Sequence, residues 1–326
     1  MQAMDIFSIS DEKMFEQFSL TIFKHQYENN KVYQRYCNLI GVSKTSVTTI
    51  NDIPFIPIEF FKTHTITSST QNIQKTFTSS GTTGQQTSKH YVTNLSLYEK
   101  SYLKGFNHFY GAIEDYCVLA LLPAYLERTG SSLVYMANDL IERSKHSKSG
   151  FYLNNLEQLI TTLEELEKRK EKTLLIGVSF ALLDLIEKKK LNLKYTTVME
   201  TGGMKGRRKE IIRTELHETL KNGFGVNHIH SEYGMTELLS QAYSKGNGLF
   251  KCPNWMQIRL RNTENPLESI NNIGKTGGIN IIDLANINSC SFIATQDLGK
   301  MISKNEFEIL GRFDNSDIRG CNLMAL

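Results

Sequence analysis

Apolar positions recur at three- and four-residue spacing early in the chain. Met14, Phe15, Phe18, Ile22 and Phe23 share one face, and Val32, Tyr33 and Tyr36 continue it beyond the polar break Glu28-Asn29-Asn30. That period predicts helix over about 11–38, stopped near Gly41. Ile53-Pro54-Phe55-Ile56-Pro57-Ile58 follows. Two prolines three apart forbid a helix and predict an extended strap, anchored by Phe60 and Phe61. A strand is expected at 75–78. A helix is expected to start near Asn94, with Leu95, Tyr98, Tyr102, Phe106 and Phe109 on one face.

From there strands and helices alternate. The pattern predicts strands at 116–122, 173–178, 195–200 and 224–230. Helices are predicted at 155–172, from Ser179 as cap, and at 209–222 with Gly223 at the stop. This rhythm indicates an α/β fold with a largely parallel sheet. Beyond Gly246 the runs 258–260, 278–284, 291–295 and 306–310 are short and separated by Gly and Asn, which predicts antiparallel β-structure. No linker or repeat interrupts the chain, so it reads as one domain, 1–326, with a β-rich portion from about 246.

Composition narrows the class. The chain is 40% hydrophobic and 22% charged, with a net charge of +3 and no basic block, which argues for a globular protein that does not bind nucleic acid. Cys37, Cys117, Cys252, Cys290 and Cys321 are scattered and odd in number, against a disulfide framework or a zinc site. Residues 1–12 lack the apolar core of a signal peptide, and no apolar run approaches a membrane span. A cytoplasmic protein is expected.

Four stretches carry candidate chemistry. Thr78-Ser79-Ser80-Gly81-Thr82-Thr83-Gly84 offers hydroxyls and unhindered backbone N–H groups to a small anion, most plainly phosphate, although such a run also has the composition of a flexible linker. Ser231-Glu232-Tyr233-Gly234-Met235-Thr236-Glu237 follows a strand end, where open α/β sheets place ligands. It holds an acid for a metal, a hydroxyl for phosphate and a flat ring for a base, or else is the acidic first turn of a helix. Asp297 suits a ribose diol, and Arg312, in Gly311-Arg312-Phe313-Asp314, suits a phosphate or ribose; each alone more often marks a turn with a solvated charge.

In this order the four resemble the adenylate-forming superfamily of acyl-CoA ligases, peptide-synthetase adenylation domains and firefly luciferase. The Ser/Thr/Gly loop is similar to its phosphate loop and Tyr233-Gly234-Met235-Thr236-Glu237 to its Y-G-x-T-E motif. Asp297 is similar to its ribose aspartate and Gly311–Asp314 to its G-R-x-D hinge. Within the superfamily the chain resembles the acyl-protein synthetases of bacterial bioluminescence (LuxE type). The similar stretches are 53–62, 79–84, 202–206, 231–241 and 311–321.

The resemblance implies the large N-terminal α/β domain of adenylate-forming enzymes, mostly parallel sheets with helices plus a β-rich portion, without the C-terminal domain and its catalytic lysine. It implies an acid–thiol ligase that uses ATP and Mg2+ to activate a carboxylic acid, a fatty acid in this family, and passes the acyl group to a protein thiol. An acceptor protein or reductase would be the partner. Ser80, Gly81, Thr82, Thr83 and Gly84 would hold the phosphates, Thr236 the α-phosphate and Glu237 the magnesium. Gly202, Gly203 and Tyr233 would flank the adenine, Gly234 would lie in the cofactor site beside them, Asp297 and Arg312 would hold the ribose, and Cys321 would accept the acyl group. Two departures stand out: Gln85-Gln86-Thr87-Ser88 separates the loop from Lys89, and the chain ends six residues after Gly320. An acyl- or aryl-CoA ligase and a non-catalytic nucleotide-dependent subunit are the alternatives.

Overall fold

A computed structural model describes residues 5–79, 86–123, 130–202 and 211–313. The chain falls into two compact units. Unit 1 is built from the described residues of 1–101, 237–240 and 251–326, and unit 2 from those of 102–236 and 241–250.

In unit 1 the predicted first helix is two, α1 (Glu12–Asn29) and α2 (Lys31–Leu39), broken at the expected polar point. Asn30 ends the first and caps the second, its side chain accepting from Tyr33 N–H. Their apolar faces bury Phe15, Ile22, Phe23, Tyr33 and Cys37. The proline strap supplies β1 (Ile56–Pro57), and α3 (Phe60–Thr63) follows. β2 (Lys75–Thr78) pairs antiparallel with β3 (Lys89–Val92), a strand the sequence pattern did not reveal. α4 (Leu95–Tyr110) begins where expected, and the division between units falls within it.

Unit 2 carries the parallel sheet. Its strands are β4 (Cys117–Leu121), β5 (Gly150–Phe151), β6 (Thr173–Val178), β7 (Thr196–Thr201), β8 (His230–Tyr233) and β9 (Ala242–Ser244). The order is β9-β8-β7-β6-β4-β5, parallel except for β9 against β8. β4 and β6 are buried along their whole length, as strands covered on both faces must be. The helices are α5 (Ser132–Ser144), α6 (Leu156–Arg169), α7 (Ser179–Lys188) and α8 (Arg213–Phe224).

Several local expectations change. α5, capped by Ser131, went unread. Ser179 is the first residue of α7 and not its cap, because β6 runs directly into the helix and the Ser179 hydroxyl donates to the Gly202 carbonyl at 2.8 Å. Gly223 is not the stop of α8: a Cβ there would lie 2.6 Å from Ile186, so it permits close helix packing. The left-handed cap is Gly225, at φ +67. The following strand consequently starts at His230, later than expected.

After β10 (Phe250–Lys251), unit 1 resumes with β11 (Met256–Arg261), β12 (Ser269–Ile270), β13 (Thr276–Asp283), β14 (Phe292–Ser303) and β15 (Glu306–Arg312). They form the antiparallel order β12-β11-β13-β14-β15, as the short Gly- and Asn-separated runs implied. β1 lies parallel to the start of β14, with Ile56 opposite Ile293. Among the described residues no helix is long and apolar enough to cross a membrane.

Candidate active site

Unit 1 gathers three of the expected positions. Glu237 is 5% exposed. Burial pushes its carboxyl above the ordinary carboxylate range, while the Ser88 hydroxyl, and the charges of Arg312 and Lys62, pull the other way. Ser88 sits just outside the β2–β3 pairing. Its N–H donates to the Ser79 hydroxyl at 2.9 Å, and its carbonyl accepts from Ser79 N–H at 3.2 Å. These bonds extend the β2–β3 pairing at the two ends that flank residues 80–85 in sequence. Strand alternation puts buried Ser88 and His90 on one face and exposed Lys89 on the other, away from Glu237.

Asp297 and Arg312 face each other across β14 and β15. The guanidinium Nε donates to the Asp297 Oδ1 at 3.4 Å, the aspartate buried and the arginine mostly exposed. Asp297 is further fixed by its own N–H, which donates to the Thr295 hydroxyl at 3.1 Å. Gly311, at φ +140, takes a backbone conformation that other residues rarely adopt.

Unit 2 holds Gly202, Tyr233, Gly234 and Thr236. Gly202, at φ +66, turns the chain at the end of β7. Tyr233 ends β8 and is buried edge-on against Phe250, with ring centroids 6.0 Å apart. No helix or strand covers Gly234 through Gln241, so this stretch is not the helix start that its acidic end allowed. A Cβ on Gly234 would lie 2.5 Å from Glu232 Oε1, so the glycine makes room for that carboxylate. Ser80, Gly81, Thr82, Thr83, Gly84, Gly203 and Cys321 lie outside the described residues, as does Asp314.

The structure adds charged groups that the sequence reading passed over. Glu200 on β7 is buried, and Arg213 Nε and His217 Nε2 approach its Oε1 at 3.4 and 3.5 Å. Burial would raise its carboxyl, but His217, Arg213 and Ser231 outweigh that and hold it below the ordinary value. Glu232 accepts from the Thr201 hydroxyl at 2.5 Å, and burial, helped by Glu200, pushes it up to about 7. In unit 1, Asp283 is wholly buried and accepts four hydrogen bonds; desolvation still lifts it to about 6. A signal existed for Asp283: it interrupts the apolar run Ile281–Leu284. Burial also raises the thiols of Cys37, Cys117, Cys252 and Cys290, which keeps them protonated and poor nucleophiles.

Residues 3–325 match the family described as acyl-protein synthetase, LuxE. The chain belongs to the LuxE acyl-protein synthetase family. Two relatives, each named long-chain-fatty-acid–luciferin-component ligase, support this placement. The Photorhabdus luminescens protein is 39% identical over 74 residues, 22% of this chain and 63% of that protein. The Vibrio harveyi protein is 38% identical over 63 residues, 19% and 16% of the two chains. The matched segments thus span less than two thirds of either relative. Among solved structures, 2-hydroxyisobutyryl-CoA ligase in complex with 2-HIB-AMP and CoA superimposes with a TM-score of 0.64 at 11% identity, covering 92% of this chain and 74% of that one. This LuxE-family chain therefore has the mixed α/β fold of the N-terminal domain of adenylate-forming enzymes, as its motifs implied.

Proposed function

We propose that the chain activates a carboxylic acid, a long-chain fatty acid by the names of its relatives, as an acyl adenylate and then passes the acyl group to a protein thiol. In the first step a carboxylate oxygen attacks the α-phosphorus of ATP and pyrophosphate leaves. In the second a thiolate attacks the acyl carbonyl and AMP leaves. The observation that carries this reading is the approach of the Ser88 hydroxyl to Glu237, whose carboxyl it draws toward the ionised form. It brings the stem of the Ser/Thr/Gly loop against the acid of the Y-G-x-T-E motif.

The protein's part is positioning and charge neutralisation. The loop 80–84 and Thr236 would hold phosphate oxygens. Asp297 would accept hydrogen bonds from the ribose diol, oriented by Arg312, and Tyr233 with Gly202 and Gly203 would bound the adenine. Glu237 suits a magnesium ion shared with the nucleotide. Such an ion takes one or two carboxylates plus phosphate oxygens and needs no protein cage. Among the described residues no group of three or more His, Cys, Asp or Glu could form one. When bound, the ion would neutralise phosphate charge.

Four of the five cysteines are held as thiols, which favours Cys321 as the acceptor. The test is pyrophosphate exchange over a panel of carboxylic acids, then labelling with ATP and radiolabelled fatty acid, first without CoA and then with CoA added. Exchange with long-chain acids, and label on the protein that Cys321→Ala abolishes, is the expected result. Label transfer only to added CoA, or no exchange with any acid, would overturn it.

A further inference from the structure

Glu237 lies in a stretch with no helix or strand to hold it, yet its neighbours are tightly bonded. The buried Asp283 carboxylate, at the end of β13, accepts from Leu239 N–H at 2.7 Å, Ser240 N–H at 3.0 Å and the Ser240 hydroxyl at 2.5 Å. A fourth bond, from Ala285 N–H at 3.1 Å, fixes the carboxylate to its own turn. Three residues on, Asn286 Nδ2 donates to the Glu237 carbonyl at 2.7 Å. Asn286 Oδ1 is itself paired with His90 Nε2 at 3.0 Å, and His90 is packed edge-on against Phe61. The Ser240 hydroxyl also meets Trp255 Nε1 and the Ser101 hydroxyl, both at 3.0 Å.

We propose that Asp283 and Asn286 are positioning residues that fix the Glu237 carboxylate by gripping the turn that carries it. Both grips come from the end of β13 and the short 3-10 turn Leu284–Asn286 that Asp283 caps, and they close on the segment from opposite sides of Leu238. Within unit 1, Glu237 is thereby tied to the antiparallel sheet that also carries Asp297 and Arg312. A buried carboxylate is a costly way to satisfy two amides, since its desolvation opposes folding. What it adds over neutral acceptors is several short bonds from one group, and so little freedom in the segment. The inference rests on the adenylation reading, in which Glu237 acts on the nucleotide.

The test uses the full chain with ATP and a long-chain fatty acid, comparing wild type, Asp283→Asn, Asn286→Ala, Glu237→Gln and the Asp283→Asn/Glu237→Gln double variant. Asp283→Asn should lower kcat for pyrophosphate exchange about 100-fold, the scale of a small misplacement of a catalytic group. The KM for the acid should stay within about twofold. The double variant should be no slower than Glu237→Gln alone, because Asp283 acts through Glu237. Hydrogen exchange at the Leu239 and Ser240 amides should accelerate in Asp283→Asn while the rest of the sheet keeps its protection. Additive losses in the double variant, or unchanged exchange at those amides, would overturn the proposal. Should Asp283→Asn fail to fold, Asn286→Ala takes its place, with about a tenfold loss expected from one deleted hydrogen bond. If wild type exchanges pyrophosphate with no acid, the adenylation reading fails. The amide exchange then still decides the grip: faster exchange in Asp283→Asn supports it, unchanged exchange removes it.

Discussion

The Ser88 hydroxyl, at the stem beside the Ser/Thr/Gly stretch, acts on the Glu237 carboxyl of the Y-G-x-T-E motif some 150 positions away and draws it toward the ionised form. That interaction favours the ionised acid, whereas burial favours the neutral one, and burial prevails. If ionised Glu237 is required, activity falls as the pH drops through its raised pKa. Ser88→Ala removes the opposing pull, so the acid limb of the pH–rate profile should move to higher pH, with the plateau nearly kept. Glu237→Gln should lower the plateau itself by about 100-fold or more, as loss of a charge-stabilising group does. Pyrophosphate exchange measured across the pH range separates the two; an unshifted acid limb in Ser88→Ala would break the link.

Asp297 and Arg312 are paired by register, so each holds the other's place. The buried aspartate is the member placed to receive ribose hydroxyls, and the exposed arginine orients it. Asp297→Ala should raise the KM for ATP about tenfold or more and leave the KM for the acid nearly unchanged. Arg312→Ala should do the same more weakly, its exposed pair contributing little to stability. Steady-state kinetics with each substrate varied would show it, and equal effects on both KM values would argue against a ribose site.

The sequence was most legible where one period ruled. The 3.6-residue stripe of α1 and α2, the apolar strands β4 and β6, and the Gly- and Asn-separated β-runs all fell where expected. It was least legible where buried polar groups replace apolar ones. β8 reads His-Ser-Glu-Tyr, and β3 reads Lys-His-Tyr-Val; neither has the apolar pattern of a strand, yet both are paired. The same masking hid Glu200, Asp283 and Ser88, whose roles depend on partners distant in sequence. The motif residues Tyr233, Thr236, Glu237, Asp297 and Arg312 stood out by residue type and place, but only their resemblance in order to a family set them apart from ordinary turns.

Glycine roles near α8 differ, and substitution should separate them. Gly223→Ala places a methyl 2.6 Å from Ile186, a core overlap expected to cost about 1–3 kcal/mol. Gly225→Ala meets a positive φ and also the Asn192 backbone at 2.9 Å, so it too should destabilise, by about 1 kcal/mol or more. Adding Ile186→Val should relieve part of the first cost and none of the second. Denaturant unfolding of the single and double variants would test this; no relief in the Gly223→Ala/Ile186→Val pair would remove the packing explanation.

Glu232 predicts a stability effect with a definite sign. Its carboxyl is raised from the ordinary 4.5 to about 7 in the folded chain, so between those values the folded state binds more protons than the unfolded one. Stability from this group is fully present below about 4.5 and is lost as the pH rises through about 7, on the order of 3 kcal/mol in all. His230 opposes it: burial lowers its imidazole from 6.5 to about 4, so its contribution is lost as the pH falls through that interval. Glu200, held low, acts only on the acid side of 4.5. Comparing wild type with Glu232→Gln cancels both, because the amide keeps the shape and an acceptor for Thr201 but does not titrate. The variant should gain on wild type as the pH climbs from about 5 to 8. Unfolding free energies measured at each pH would show the rising difference, and a flat difference would mean that Glu232 is already ionised in the folded chain.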